Sequence, residues 1–301
     1  MATKFSTVLV GGGTGFVGSF VVDAFRRISN KVLIVSRKPT KETLTWEDIS
    51  KNGLPNETDV VINLAGQNVL DPFKFWTDSF KQTVIQSRVG TTKTLAEAIN
   101  SASKPPQALI TISGVGYYPP SETAVYDEES KPDSSDFFSK LCQDWEDASK
   151  LNDKCPTRRV IIRSGVVIGP GGGIMKQMYP LYWTQYAGPI GSGKQYFPWI
   201  HVEDLANMFV FAAKNNQVTG VLNGVAPQKT TNHQFSTAFG EACLKPAIGM
   251  IPEWAIRLIF GPVRAEMMTK GQLVVPKRAV GYGFKYLFED IEYACKNSIY
   301  G

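Results

Sequence analysis

The sequence predicts an α/β fold in which helices cover both faces of a mostly parallel sheet. Two observations carry that prediction. Short, strongly apolar runs alternate with segments of helical apolar spacing along the first two-thirds of the chain. The first such run ends in a glycine-rich turn and leads directly into a helical pattern. Composition agrees: 301 residues, 43% hydrophobic and 20% charged, can bury a large core without disulfides or metal.

In order along the chain, Thr7 to Val10 is an apolar run followed by glycines. Phe16, Val17, Phe20, Val21, Ala24, Phe25 and Ile28 then repeat at helical spacing, and Lys31 to Arg37 reads as a buried strand. This is a βαβ unit. Asp59 to Gly66 is a strand, Ser79 to Ile99 one long helix, Ala108 to Ser113 a strand, Phe137 to Lys150 a helix, and Arg159 to Ile168 a strand. After Gly169-Pro-Gly-Gly-Gly173 the composition shifts to Tyr, Trp, Pro and Gly. Asp204 to Lys214 is helix-like and Gly220 to Asn223 strand-like, while residues 226–301 read as a mixed cap with short helices.

Several function classes are excluded. The net charge is +5, and the basic residues are scattered with no run of five or more. No basic stripe interleaved with aromatics appears, so no nucleic-acid partner is expected. Only His201 and His233 are present, and Cys142, Cys155, Cys243 and Cys295 form no C-x-x-C pair, so no metal site is expected. Isolated cysteines read as reduced thiols of an intracellular protein; a cytoplasmic location is expected, with mitochondria or another organelle still open. The longest uncharged stretch, Gln177 to Gly193, carries two prolines and three glycines and reads as loop. No membrane association is expected. With strand-like sequence from Thr7, no signal or transit peptide is expected within these residues, and a longer precursor stays open.

Gly12-Gly-Thr-Gly15-Phe-Val-Gly18 has the form G-x-x-G-x-x-G between a strand and a helix. Glycines so placed permit a tight turn, close backbone approach to a pyrophosphate, and close helix–strand packing. The helix N-terminus adds free N–H groups and a positive dipole for phosphate. The bland alternative is a purely structural turn. No Gly-Lys-Ser/Thr follows, so the turn is not a P-loop. At the end of the second strand, where NAD-binding proteins place an acid for the ribose 2′-hydroxyl, stands Ser36-Arg37-Lys38. An acid there would repel a 2′-phosphate, whereas Arg37 can bond it bidentately. The competing reading is a solvated basic turn.

The glycine turn, Asp59-Val-Val-Ile-Asn-Leu-Ala-Gly66, Val89 to Ala98, Arg163-Ser-Gly-Val-Val-Ile-Gly-Pro170 and His201-Val-Glu-Asp204 resemble the extended short-chain dehydrogenase/reductases. Ser36 to Pro39, Ser87-Arg88, Gly169 to Gly173, Gly188 to Gly193, Phe197 to Val202 and Leu222 to Pro227 narrow the likeness. With them the chain resembles, nearly end to end, the atypical epimerase family proteins of family 39U, which include the bacterial YfcH-like group. The resemblance implies a Rossmann fold, a doubly wound parallel sheet with a smaller C-terminal substrate lobe, and bound NADP(H). It implies a cofactor domain of residues 1–170, with 201–224 returning to it, and a substrate lobe of 171–200 and 225–301. Carried over, Gly12, Thr14, Gly15, Phe16, Val17 and Gly18 form the pyrophosphate turn and Ser36 and Arg37 hold the 2′-phosphate. Leu64, Ala65 and Gly66 back the adenosine and ribose, Arg88 reaches the cofactor from the following helix, and Val167 packs near the nicotinamide. For Leu64 and Val167 the alternative is ordinary core. Superfamily relatives often pair through the two long helices, here 79–99 and 137–150, which makes a homodimer the expectation.

The superfamily's Ser, Tyr-x-x-x-Lys signature is incomplete. Lys140 fits the lysine position, but four residues earlier stands Asp136, and no register supplies the tyrosine. Aligning Tyr118 places the serine position on Gly114, with Ser113 one residue early. Candidate proton-handling residues are therefore Lys140, Ser113, Tyr117, Tyr118 and His201. Each has a structural alternative: Tyr117 and Tyr118 as packing residues, His201 as a hydrogen-bonded strand histidine, Cys142 and Trp145 as dimer face or core. Two functions follow: an NADP(H)-dependent oxidoreductase or nucleotide-sugar-type epimerase on an unknown small molecule, or an NADP(H)-binding or sensing protein that lost the chemistry.

Overall fold

The computed structural model describes residues 5–38, 40, 43–133, 136–183 and 187–301. Pro39 of the Ser36–Pro39 motif, and 184–186 of the expected loop, lie outside them. Seven parallel strands form the central sheet: β1 (Phe5–Gly11), β2 (Ser29–Val35), β3 (Thr43–Leu44), β4 (Thr58–Asn63), β5 (Ala108–Gly114), β7 (Arg158–Ser164) and β10 (Gly220–Gly224). Their order across the sheet is β3-β2-β1-β4-β5-β7-β10. The chain winds outward from β1 in both directions, so the switch point falls between β1 and β4. Short strand pairs lie outside the sheet: β6 (Val125–Tyr126) with β11 (Leu273–Val274), and β8 (Val166–Ile168) with β9 (Trp199–His201).

Alternation within the strands explains their continuous apolar runs. Val8, Val10, Val60, Ile62 and Ile110 share a core with Val21, Val22 and Phe25 of α1 (Phe16–Arg26). The same core takes Leu205, Met208 and Phe209 of α7 (Val202–Lys214). Leu9, Val61 and Leu109 point the other way, toward Ile49 of α2 (Trp46–Asn52) and Leu95 and Ile99 of α4 (Thr91–Asn100). The helices α3 (Asp78–Ile85) and α5 (Phe137–Asp147) add a further cluster through Val84, Phe138 and Leu141. A separate core joins Met175, Met178 and Tyr182 of α6 (Gly173–Trp183) to Phe235 and Phe239 of α8 (Asn232–Ala242). Ala294 and Cys295 of α11 (Ile291–Tyr300) complete it. Two further helices, α9 (Glu253–Thr269), kinked at Gly261-Pro262, and α10 (Lys277–Gly281), complete the C-terminal region.

The sequence reading needs three corrections here. Gln177 to Trp183, read as loop, is the end of α6, with Pro180 inside it. A proline forfeits one helical hydrogen bond, and burial of Met175, Met178 and Tyr182 on one face outweighs that loss. The expected helix 79–99 is α3 and α4 joined by a π-helical turn, Gln86–Gly90. The strand expected over 159–168 breaks at Gly165, where a Cβ would stand 2.6 Å from the Pro198 carbonyl oxygen, and continues as β8 in a different sheet.

Candidate cofactor site

The site lies along the C-terminal edge of β1, β2 and β4. A cleft of about 780 Å³ is lined there by Gly12, Thr14, Gly15, Ser36, Arg37, Trp46, Leu64, Ala65 and Gly66, with polar residues of α3 and α4 opposite. Its geometry depends on glycine. Gly12 has φ +77°, and a Cβ there would lie 2.7 Å from the Ala65 nitrogen. A Cβ on Gly18 would come within 2.2 Å of the Gly12 oxygen, so this glycine lets α1 sit against the turn. Gly15 is the N-cap of α1, and no side chain caps the helix and no acid stands in its first turn. The helix thus presents its N–H groups and positive end to the cleft.

Phe16 and Val17 open α1, and the Phe16 ring explains the later glycine cluster. A Cβ on Gly172 would meet that ring at 2.2 Å, and one on Gly173 at 2.9 Å. The Gly169–Gly173 turn is therefore built to close over the start of α1, a role the sequence reading missed. Val167 on β8 packs against the main core and is not among the cleft-lining residues.

At the outer end of the cleft, Ser36 follows β2 and is buried, while Arg37 is exposed. Arg37 donates to Gln67 Oε1 at 3.2 Å and, among the described residues, pairs with no carboxylate. Thr14, Ser36, Arg37 and Lys38 line an adjoining hollow of about 520 Å³. Two hydroxyl and two cationic side chains thus line one hollow with no acid among them.

The middle of the cleft is held by Asn63. Its fully buried amide donates to Thr92 Oγ1 at 2.8 Å and accepts from the Ala65 nitrogen at 3.1 Å. Trp145 donates to the same threonine oxygen at 3.0 Å. This fixes the Leu64–Gly66 turn, and Trp145 and Cys142 are buried within the chain's own core. Arg88 stacks behind Gly66, where a Cβ would lie 3.1 Å from its Cζ.

The proton-handling candidates fare differently. Lys140 is exposed and pairs with Asp144 one turn along α5. Asp136 is the N-cap of that helix, accepting from the nitrogens of Phe138 and Ser139 at 2.8 and 2.9 Å. The structure therefore does not bring Lys140 to the site. Tyr118 is buried; it donates to Asn223 Oδ1 at 2.8 Å and accepts from Arg163 Nη1 at 2.9 Å. Burial pushes its pKa up to about 12. Tyr117 is half-buried under the Arg163 guanidinium, 3.3 Å from its ring centroid. Arg163 is itself bonded bidentately to Glu146 at 2.7 and 2.8 Å, and the carboxylate holds it cationic. Glu128 accepts from the nitrogens of Asn223 and Arg278. The network ties β5, α5, β7, β10 and α10 together, so Tyr118 is a structural residue.

His201 is likewise structural. It is fully buried, caps α7 by accepting from the Glu203 nitrogen at 3.3 Å, and lies against Phe288 with ring centroids 3.7 Å apart. Burial lowers its pKa to about 4, which keeps it neutral. Trp199, beside it on β9, is buried and donates to Thr230. Ser113 is buried with its hydroxyl unpaired by strict geometry, although it lies near the Cys142 thiol. That thiol sits 3.6 Å from where a Cβ on Gly114 would start, and burial raises its pKa to about 11.

A parallel sheet with this order, a glycine turn at its switch point and an acid-free basic group beyond β2 define a dinucleotide-binding protein of the doubly wound class. The model of the NAD dependent epimerase/dehydratase family matches residues 8–223, and that of a domain of unknown function matches 251–298. Mouse epimerase family protein SDR39U1 is 46% identical over 97% of this chain and 99% of its own length. A Mycobacterium bovis epimerase family protein is 34% identical over 93% of each. The crystal structure of human SDR39U1 with NADPH superposes with a TM-score of 0.94 at 44% identity, covering 97% of this chain and 99% of the human one. The chain belongs to the NAD dependent epimerase/dehydratase family, and within it to the family 39U epimerase family proteins. Among the described residues no helix is long and apolar enough to cross a membrane, and no group of His, Cys, Asp and Glu could hold a metal.

Proposed function

We propose that this protein binds NADP(H), in preference to NAD(H), and does not use the superfamily's Tyr-x-x-x-Lys chemistry. The observation that carries the reading is Arg37 beside Ser36 at the end of β2, facing the cleft with no acid near it. The residues present fit the cofactor: the cradle at Gly12 and Gly18 would be filled by any Cβ, and the open N-terminus of α1 suits a pyrophosphate. Gly12 to Gly18 would hold the pyrophosphate, Ser36 and Arg37 the 2′-phosphate, and Leu64, Ala65 and Gly66 the adenosine and ribose. The NADPH in the human relative's structure supports this assignment. Residues 1–170 and 201–224 would form the cofactor domain, and 171–200 with 225–301 the lobe facing a small-molecule substrate.

When bound, the cofactor supplies a hydride donor or acceptor. The chain's own residues would hold and orient it, but the usual proton-handling pair is missing. Asp136 is a cap, Lys140 faces solvent, and the serine position is Gly114. Oxidoreductase or epimerase turnover would need another donor. Tyr117, half-buried against the Arg163 guanidinium, is one candidate. The four cysteines, none in a disulfide, suit a reducing compartment such as the cytoplasm.

Titration calorimetry tests the reading. A charge-assisted bond to the 2′-phosphate contributes about 1.5–3 kcal/mol, so NADPH should bind roughly tenfold to a hundredfold more tightly than NADH. Equal affinities would refute it.

A further inference from the structure

Ile248, Met250, Trp254, Leu258 and Ile259 are 53% to 79% exposed, and all fall within residues 248–259. Counted at roughly 200 Å² for each large side chain, they leave on the order of 700 Å² of apolar surface in water. The largest apolar patch of a typical monomer is about 300–600 Å². Each partner in a standard protein interface gives up about 800 Å². The stretch is held in place. Ile251 accepts from the Gly191 nitrogen and donates to the Pro189 carbonyl, each at 2.9 Å, which fixes residues 248–251 at the start of α9.

The exposure follows the helix. In the half of α9 before the Gly261-Pro262 kink, Ile256 is buried and Phe260 half-buried, one turn apart. Trp254 and Leu258, also one turn apart, lie on the opposite side and face water. Glu253 and Arg257 run along one flank of that stripe. Both are exposed, and among the described residues neither is in an ion pair. The helices through which superfamily relatives often pair offer no such face. Among the described residues no large apolar side chain within 79–99 or 137–150 is exposed. Polar residues of α3 and α4 line the cofactor cleft instead.

We infer that this face joins two copies of the chain, the first halves of two α9 helices packing antiparallel across a two-fold axis. The charges select a second copy as the occupant. A two-fold axis level with Ala255 reverses one helix against the other and keeps the charged flanks together, so Glu253 of each copy meets Arg257 of its partner. Trp254 and Leu258 fill the centre. With Glu253 and Arg257 beside them, the apolar side chains reach the area that a standard dimer needs. An anionic lipid surface would attract Arg257 and repel Glu253, and so gains little from the pair. The inference stands apart from the cofactor reading, because no residue of α9 lines the cofactor cleft.

Analytical ultracentrifugation of the full chain over a range of concentrations tests the inference. The native protein should sediment as a dimer. Leu258→Asp should weaken association about a hundredfold or more, with the circular dichroism spectrum unchanged. Trp254→Ser gives a second, uncharged readout in the same direction. Glu253→Arg and Arg257→Glu should each weaken association about tenfold, by setting like charges opposite each other. The two together should restore most of it, because the pair is remade in reverse. Lys93→Glu, on α4, should change nothing. A native protein still monomeric at about 100 μM, a dimer that survives both Leu258→Asp and Trp254→Ser, or a double charge variant no tighter than the singles would overturn the inference. Loss of the dimer through Lys93→Glu would overturn it too. So would a monomer that floats with vesicles of phosphatidylcholine and phosphatidylserine, which would assign the face to a lipid surface.

Discussion

The two ends of the sheet edge use similar side chains in opposite ways. Beyond β2, Ser36 and Arg37 face a cleft and have few protein partners. Beyond β5, Tyr118, Arg163, Glu146 and Asn223 are joined to one another in a buried network. A cation next to an acid in a core is consumed by folding, while one left beside open space is available to a ligand. Residue type alone does not separate these cases; the partner does.

If that contrast holds, perturbing the β5 side should show up in stability, and the largest effect should come from Arg163. Arg163→Met leaves Glu146 buried and unpaired, and chemical denaturation should register a loss of about 3–5 kcal/mol. A loss below about 1 kcal/mol would mean that the network is not structural.

His201 sharpens the comparison through pH. Burial holds its pKa at about 4 in the folded protein, below the ordinary value of 6.5. Its contribution is therefore present above pH 6.5 and lost as pH falls toward 4, by about 3 kcal/mol at 1.36 kcal/mol per unit. His201→Asn keeps a cap acceptor and removes the titration. Thermal melts from pH 7 to 4 should show native protein losing more stability than the variant. Parallel curves would contradict the structural role. Asp204, whose pKa is raised by burial, titrates in both and cancels.

The smallest effect should come from Lys140. Its pair with Asp144 is exposed and within one helix, so Lys140→Ala should cost under about 0.5 kcal/mol. NADPH affinity should be unchanged. NADPH oxidation at an ordinary enzyme rate in a carbonyl-substrate screen, abolished by Lys140→Ala, would show that the lysine works in chemistry after all.

The long strands of the central sheet and the phosphate turn were legible in the sequence because they obey local rules: continuous apolar runs, and glycine where a Cβ meets backbone. Ser36-Arg37 was legible for a related reason, since its place at a strand end fixes what it faces. Other features depend on distant contacts. The role of Gly169–Gly173 requires the Phe16 ring, about 150 residues away in sequence. Helix α6 shows apolar spacing at Met175, Met178 and Tyr182, but Pro180 and the surrounding glycines point to loop, and packing decides. Trp46, which lines the cleft, was missed although a signal existed: Thr45 and Asp48 form a capping box that starts α2. The outward direction of Lys140 could not be read, because Asp136 serves equally well as a cap or as the residue replacing tyrosine until the helix start is known.

The most direct test measures two quantities on two variants. Arg37→Ala and Tyr118→Phe are each assayed for NADPH affinity by calorimetry and for unfolding free energy by denaturation. Arg37→Ala should lose roughly tenfold or more in affinity with stability intact. Tyr118→Phe should lose about 1–3 kcal/mol of stability, because the Asn223 Oδ1 loses its donor and the Arg163 Nη1 its acceptor, with affinity intact. The reverse pattern, with Tyr118→Phe impairing NADPH binding in an undiminished fold and Arg37→Ala leaving affinity unchanged, would contradict the account.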